Sequence, residues 1–175
     1  PEHTLYRCLS DAVDDWSSSS SSGSSSGSNS SNSGSSGGVL ADYTTVDTFR
    51  DPLVQQHQQQ KQQKSAAARS PAYIVYVESK SVPSGESVSE SNRKLSALLD
   101  EQLQQSHHVF RSFRAKNAIG EPQVRLVRPG SFKEMRGSLV EQGMSPNQLK
   151  MPRVLRSDRL AALLQEHVLP PTASA

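Results

Sequence analysis

One short segment near the C-terminal end of the chain has the residue types and spacing that suit the delivery of a positive charge to another molecule. Residues 143–153 read GMSPNQLKMPR, so Lys150 comes two residues before Pro152. Because proline fixes its own φ and biases the preceding Met151 towards an extended conformation, we expect a stiff bend followed by a strand. An ammonium group on a stiff loop can be aimed into a neighbouring cleft. The segment therefore favours a Lys150 that reaches into a cleft over a lysine that is only solvated.

The other residues with catalytic or metal-binding chemistry form no such pattern. Two of the five histidines, His107 and His108, are adjacent, and on a helix their rings would diverge by about 100°. No carboxylate or cysteine lies at ligand spacing from the other three, and the sequence contains no G-x-G-x-x-G motif. Cys8 is the single cysteine, which excludes an internal disulfide and favours a reducing compartment. We expect no metal site.

The overall composition favours neither nucleic acid nor a membrane as the partner. The 19 basic and 17 acidic residues give a net charge of +2, and no apolar run approaches transmembrane length. We therefore expect a soluble, cytoplasmic protein. RNA binding is the alternative, raised by a cluster of aromatic and basic residues, but the helical spacing of its phenylalanines favours a core with a solvated basic edge. The cluster consists of Phe110, Arg111, Phe113, Arg114 and Lys116.

Two low-complexity tracts divide the chain into the parts that must position Lys150. Residues 17–38 are only Ser, Gly and Asn, and seven of the ten residues 55–64 are Gln. Such tracts bury too little apolar area to offset chain entropy, and as loop insertions they cost little closure entropy. The first residue is Pro1 and not Met, which is what we expect of a fragment or of a partial gene product. The predicted parts are an amphipathic helix at 1–16, a disordered Ser/Gly insertion at 17–38, a strand region at 39–54, a disordered Gln-rich insertion at 55–70, the main part of the domain at 71–169 and a tail at 170–175.

The apolar periodicity predicts a small α+β fold. In the most regular strand, Tyr73, Val75 and Val77 would face one side, and Ile74 and Tyr76 the other. The predicted strands are 39–46, 72–78 and 123–127, with a short edge strand at 153–155. The first predicted helix covers residues 3–16. The second begins at a Ser87/Glu90 capping box and runs through Phe113, and the third extends from a Ser131/Glu134 capping box to Gly143. The last helix is capped by Ser157. This order predicts a mixed sheet with helices packed on it.

Several segments, in order along the chain, are similar to the C-terminal domain of the plant acyl acid–amido synthetases, the auxin-responsive Gretchen Hagen family of adenylating enzymes. Residues 147–153, NQLKMPR, match the family's N-Q-Y-K-x-P-R, with Leu149 where tyrosine is usual. Residues 118–132, AIGEPQVRLVRPGSF, resemble the family's S-I-G-P-L-E-I-R-V-V-x-P-G-T-F. Weaker similarity covers residues 42–48, 71–76 and 99–114.

This resemblance implies a two-step ligation that uses ATP and Mg²⁺. A carboxylic acid such as a jasmonate, an indole acetate or a benzoate attacks the α-phosphate of ATP, and an amino acid then displaces AMP from the acyl-adenylate. A larger N-terminal adenylating domain would be the partner, and this domain would close over it as a mobile lid. Lys150 would then be the adenylation cation. Asn147 and Gln148 would orient the loop or the acyl carboxylate, and Arg153 would pair with a phosphate or with a carboxylate at the domain interface.

The sequence departs from the family in ways that support a second interpretation. It lacks the nucleotide-holding motifs of the family's N-terminal domain, so we expect this chain to be inactive alone. Ala72 and Val77 stand where the family has histidine and tryptophan, and Glu121 and Pro122 where it has proline and leucine. The alternative is therefore a decayed, non-catalytic interaction module whose polar tracts are flexible tethers.

Overall fold

The computed structural model describes residues 2–19, 40–47, 70–80 and 87–171. The predicted insertions at 17–38 and 55–70 lie outside these ranges, except for residues 17–19 and 70. The described elements are α1 (Glu2–Ser19), β1 (Leu40–Asp47), β2 (Tyr73–Ser79), α2 (Val88–Ser106), α3 (His108–Ala115), β3 (Gln123–Val127), α4 (Ser131–Glu141) and α5 (Asp158–Glu166).

The sheet has the strand order β1-β2-β3, with β2 in the centre. β1 runs antiparallel to β2, and β3 runs parallel to it. One isolated bridge adds a residue pair beside each edge strand. Val154 pairs with Thr45 of β1, and Val168 pairs with Val127 of β3. The Val154 bridge lies within the predicted edge strand at 153–155. It brings the chain that follows Lys150 alongside β1.

The two faces of β2 enter two separate hydrophobic clusters. Val75 and Val77 pack with α1, α2 and α3, whereas Ile74 and Tyr76 pack with α4 and α5 on the opposite face. The predicted assignment of these side chains to faces is confirmed, and so is the predicted α+β fold. We call the first group cluster one and the second cluster two; the buried members of cluster two are Val46, Ile74, Tyr76, Val127, Phe132, Met135, Leu139, Leu149, Met151, Leu155, Leu160, Ala161 and Leu164.

The prediction of one continuous helix through Phe113 is wrong, because the helix breaks at His107. This residue has an extended backbone (φ −131°), and its Nδ1 accepts a hydrogen bond from the Phe110 N–H at 3.1 Å, which caps α3. Since His107 is not helical, its ring does not diverge from that of His108; the two rings stack with centroids 6.1 Å apart. The break also turns Val109 and Phe113 outwards, where they are 39% and 49% exposed instead of buried.

The end of α1 also differs from the prediction. The helix continues past Trp16 to Ser19 and thus includes the first residues of the Ser/Gly tract. The hydroxyls of Ser17 and Ser18 both donate to the Asp14 carbonyl at 2.9 Å, so these side chains hydrogen-bond back onto the helix.

The predicted helix boundaries at Ser87 and Gly143 are confirmed, whereas the predicted cap at Ser131 is wrong. Ser87 accepts a hydrogen bond from the Glu90 N–H at 3.2 Å, and Gly143, with φ 93°, follows the end of α4. The N-cap of α4 is Gly130 (φ 90°) and not Ser131, which is already the first helical residue. In the described part of the chain, no helix is long and apolar enough to cross a membrane.

Candidate functional site

A hydrogen-bonded turn leads from α4 to the segment that contains Lys150. The Gln148 N–H donates to the Ser145 carbonyl at 3.1 Å. Pro146 occupies the second position of this turn, where its fixed φ fits. Asn147 and Gln148 are both exposed on the turn, so their side chains lie at the surface.

Residues 149–153, which we call the lysine loop, are anchored by side chains on either side of Lys150. Leu149 and Met151 are buried in cluster two, with 7% and 9% of their surface exposed, whereas Lys150 between them is exposed. The Arg136 guanidinium on α4 donates to the Leu149 carbonyl at 3.4 Å. Because neighbouring residues of an extended chain point in opposite directions, burial of the two flanking side chains directs Lys150 to solvent.

The second half of the lysine loop is hydrogen-bonded to β1. The Thr44 hydroxyl donates to the Pro152 carbonyl at 2.6 Å. The Arg153 carbonyl accepts from both the N–H and the hydroxyl of Thr45 at 2.9 Å, and the Leu155 N–H donates to the Thr45 carbonyl at 2.8 Å. The backbone just after Lys150 is therefore fixed to the edge of the sheet.

Arg153 is engaged within its own domain. Its guanidinium forms a close ion pair with Asp42 and donates to the Tyr43 carbonyl at 2.9 Å. It also lies over the Tyr43 ring, 4.6 Å from the centroid. About a third of its side chain, 33%, stays exposed, so the proposed pairing with a phosphate or an interface carboxylate would involve that exposed part.

Lys150 differs from Arg153 in its surroundings. Within the described ranges its ammonium has no ion pair or hydrogen bond, in contrast to Arg153. No aspartate or glutamate occurs between Gly143 and Ser157, whereas three basic residues do. Since Arg153 is already paired with Asp42, the exposed Lys150 is the charge of the lysine loop that an approaching anion can meet. The basic residues are Lys150, Arg153 and Arg156.

The four residues predicted from the sequence occupy one stretch of the surface but have different surroundings. Asn147, Gln148 and Lys150 are exposed, whereas Arg153 is held by β1. The sequence reasoning missed Asp42 and Thr44 as partners of this stretch. Its only signal for them was the similarity of residues 42–48 to a family strand.

Comparison with known proteins identifies the family of the chain. The model of the GH3 family C-terminal domain matches residues 54–159, which include the whole lysine loop. The chain belongs to the GH3 family. The match begins after β1, so the strand that holds Arg153 lies outside it.

Curated relatives of this GH3 domain come from animals and plants. A GH3 domain-containing protein of Mus musculus is 37% identical over 106 residues, which are 60% of this chain and 19% of that protein. The indole-3-acetic acid-amido synthetase GH3.8 of Oryza sativa subsp. indica is 31% identical over 98 residues, 55% of this chain and 16% of that protein. The chain thus spans less than a fifth of the length of these two relatives.

A solved structure has the same fold. The GH3.15 acyl acid amido synthetase matches with a TM-score of 0.62 at 18% identity, over 95% of this chain and 24% of that chain. The predicted fold of a GH3 C-terminal domain is therefore confirmed, and the chain is similar to a part of acyl acid amido synthetases.

Proposed function

We propose that this chain is the C-terminal lid domain of an ATP-dependent acyl acid–amido synthetase, and that Lys150 is its adenylation cation. The acyl acid would be a hormone-like carboxylic acid of the auxin or jasmonate type, joined to the amine of an amino acid. The observation that carries the proposal is the exposure of Lys150 on a loop that is anchored by the side chains of Leu149, Met151 and Arg153. A cation held in this way can be delivered to a site that another domain builds.

The proposed reaction has a step that needs such a cation. A carboxylate oxygen attacks the α-phosphorus of ATP, a new P–O bond forms, and the bond to pyrophosphate breaks. Two anions must approach, and charge builds on the phosphoryl oxygens as they react. An ammonium placed against those oxygens in a water-poor cleft stabilises the charge of the transition state. In the second step the amino acid's nitrogen attacks the acyl carbon, loses a proton and displaces AMP.

The other three residues and the metal have proposed places in the same scheme. Asn147 and Gln148 orient the lysine loop or the acyl carboxylate, and Arg153 uses its exposed part at the domain interface. ATP would be used with Mg²⁺. The described residues include no group of three or more His, Cys, Asp or Glu side chains placed to hold a metal ion, so we assign the Mg²⁺ ligands to the phosphates and the adenylating domain.

Pyrophosphate exchange by a protein that joins this chain to an adenylating domain tests the proposal. We expect Lys150→Ala to lower the exchange rate by about 10²–10³-fold, as does removal of other groups that stabilise transition-state charge. The same variant, supplied with preformed acyl-adenylate, should still form the amide. Lys116→Ala is the matched control: it removes one exposed lysine at the end of α3, which packs on the opposite face of the sheet. An exchange rate unchanged by Lys150→Ala would contradict the proposal.

A decayed interaction module is the second candidate. One observation favours it: Ala72, Val77, Glu121 and Pro122 depart from the residues that are usual in the family. In this case the joined protein would bind partners but show no pyrophosphate exchange even with Lys150 intact.

A further inference from the structure

Two carbonyl groups of the lysine loop accept hydrogen bonds from β1, and they differ in their number of donors. The Arg153 carbonyl has two donors, the N–H and the hydroxyl of Thr45, both at 2.9 Å. In the described structure the Pro152 carbonyl has one, the Thr44 hydroxyl at 2.6 Å. The Thr44 side chain is completely buried, and Pro152 is half-buried. In the described structure, the hydrogen bonding of the Pro152 carbonyl thus depends on one side chain.

We propose that Thr44 is the positioning residue for Lys150. This inference rests on the proposed function of Lys150 as the adenylation cation. Pro152 follows Lys150 by two residues, and burial of Met151 between them leaves little slack in the backbone. Loss of the Thr44 hydroxyl would leave the Pro152 carbonyl without its donor. The lysine loop would then shift to find another one, and the Lys150 ammonium would move with it.

Positioning has a large effect on rate because catalytic groups act only at short range. A displacement of about 1 Å can cost on the order of 10²-fold in rate. We expect Thr44→Val, which removes the hydroxyl and keeps the shape, to lower kcat of pyrophosphate exchange by about 10–100-fold. KM for ATP and for the acyl acid should stay unchanged, because neither substrate contacts this buried side chain.

Two further variants separate positioning from general damage. Thr44→Ser keeps the donor and should restore kcat. Thr45→Val is the matched control: it removes a neighbouring buried hydroxyl, but the Arg153 carbonyl keeps the backbone N–H of Thr45. Its kcat should stay near that of the unmodified protein. A Thr44→Val variant with unchanged kcat, or a Thr44→Ser variant that is no better than Thr44→Val, would overturn the inference.

A second measurement on the same chain does not depend on the reaction. Trypsin must bind the residues on both sides of Lys150, and the burial of Leu149 and Met151 opposes this, so we expect cleavage after Lys150 to be faster when the lysine loop is less firmly held. Mass spectrometry of the fragment that ends at Lys150 gives the rate. We expect Thr44→Val to raise this rate and Thr45→Val to leave it unchanged. If Thr44→Val does not fold, as judged by the fluorescence of the buried Trp16, Thr44→Cys, with its weaker donor, replaces it and should raise the cleavage rate above that of the unmodified protein.

The two proposals fail in different ways. If Lys150→Ala lowers exchange but Thr44→Val does not, positioning by Thr44 is wrong and the function of Lys150 stands. If Lys150→Ala has no effect on exchange, the proposed function is wrong, and with it the catalytic meaning of Thr44. An unchanged cleavage rate in Thr44→Val would show that Thr44 does not hold the lysine loop at all.

Discussion

A single carboxylate of the central strand holds the first turn of α4. Glu78 accepts hydrogen bonds from the backbone N–H groups of Gly130 at 2.8 Å and Phe132 at 3.0 Å. Gly130 at the N-cap has no side chain for this purpose, and the Ser131 hydroxyl donates to the Arg128 carbonyl instead. A negative charge at this end is also favoured by the helix dipole. The cap of α4 is therefore supplied from another element of the fold.

Substitution of Glu78 should destabilise the domain. We expect Glu78→Ala to lower the free energy of unfolding by about 1–2 kcal/mol, because two amide groups lose their acceptor. Glu78→Gln keeps one acceptor oxygen and should cost less. Urea denaturation followed by circular dichroism measures both. The control is Glu90→Ala, which removes a partly exposed carboxylate that pairs with Lys94 at 3.7 Å and should cost at most about 0.5 kcal/mol. Equal losses for Glu78→Ala and Glu90→Ala would contradict the role of Glu78.

The sequence identified the reactive candidate but not the residues that hold it. Lys150 could be found because Pro152 and Arg153 follow it within a short motif. The Thr44–Pro152 hydrogen bond joins residues 108 positions apart, and nothing in the local pattern of either segment predicts it. Glu78 was missed for the same reason, since a tertiary contact replaced the expected local cap.

At the scale of the elements, the junction between α2 and α3 is where the sequence prediction was least accurate. Leucine and phenylalanine keep a helical spacing across it, and neither glycine nor proline marks the break. What ends α2 is the extended backbone of His107, whose side chain then caps α3. The strands were predicted better, because alternation along β2 gives both faces directly and both faces are buried.

An ion pair joins α2 and α3. Arg114 on α3 donates twice to Asp100 on α2, with N–O distances of 2.9 Å, and once to the Ile119 carbonyl at 3.3 Å. The two side chains are only 22% and 11% exposed. A fork-shaped guanidinium is needed for this geometry, since a lysine offers a single point of charge.

Replacement of that guanidinium by an amine should therefore weaken the helix pair. We expect Arg114→Lys to lower the free energy of unfolding by about 1–2 kcal/mol, as one of the two charged hydrogen bonds is lost. Thermal unfolding measures the effect. Arg111→Lys makes the same change at an exposed position of α3 and should be close to neutral. If the two variants unfold at the same temperature, the paired geometry of Arg114 contributes nothing to stability.

At the scale of the whole molecule, the three strands are shared by both hydrophobic clusters. Neighbouring residues of β2 alternate between cluster one and cluster two, so neither cluster can lose its packing without a disturbance of the same backbone. The lysine loop is part of cluster two through Leu149 and Met151. The position of Lys150 is thus tied to the stability of the whole sheet.

This arrangement predicts that a destabilising substitution in cluster two also lowers the unfolding midpoint measured in cluster one. Trp16 is the single tryptophan and is fully buried in cluster one, so its fluorescence follows that side of the sheet alone. Leu164→Ala opens a cavity in cluster two and should cost about 2–5 kcal/mol. Because the strands are common to both clusters, the unfolding midpoints from Trp16 fluorescence and from circular dichroism should fall together in urea. Met144→Ala, at a residue 45% exposed, should leave both midpoints in place. A Trp16 transition that stays at its original urea concentration while the circular dichroism midpoint falls would show that the two sides unfold independently.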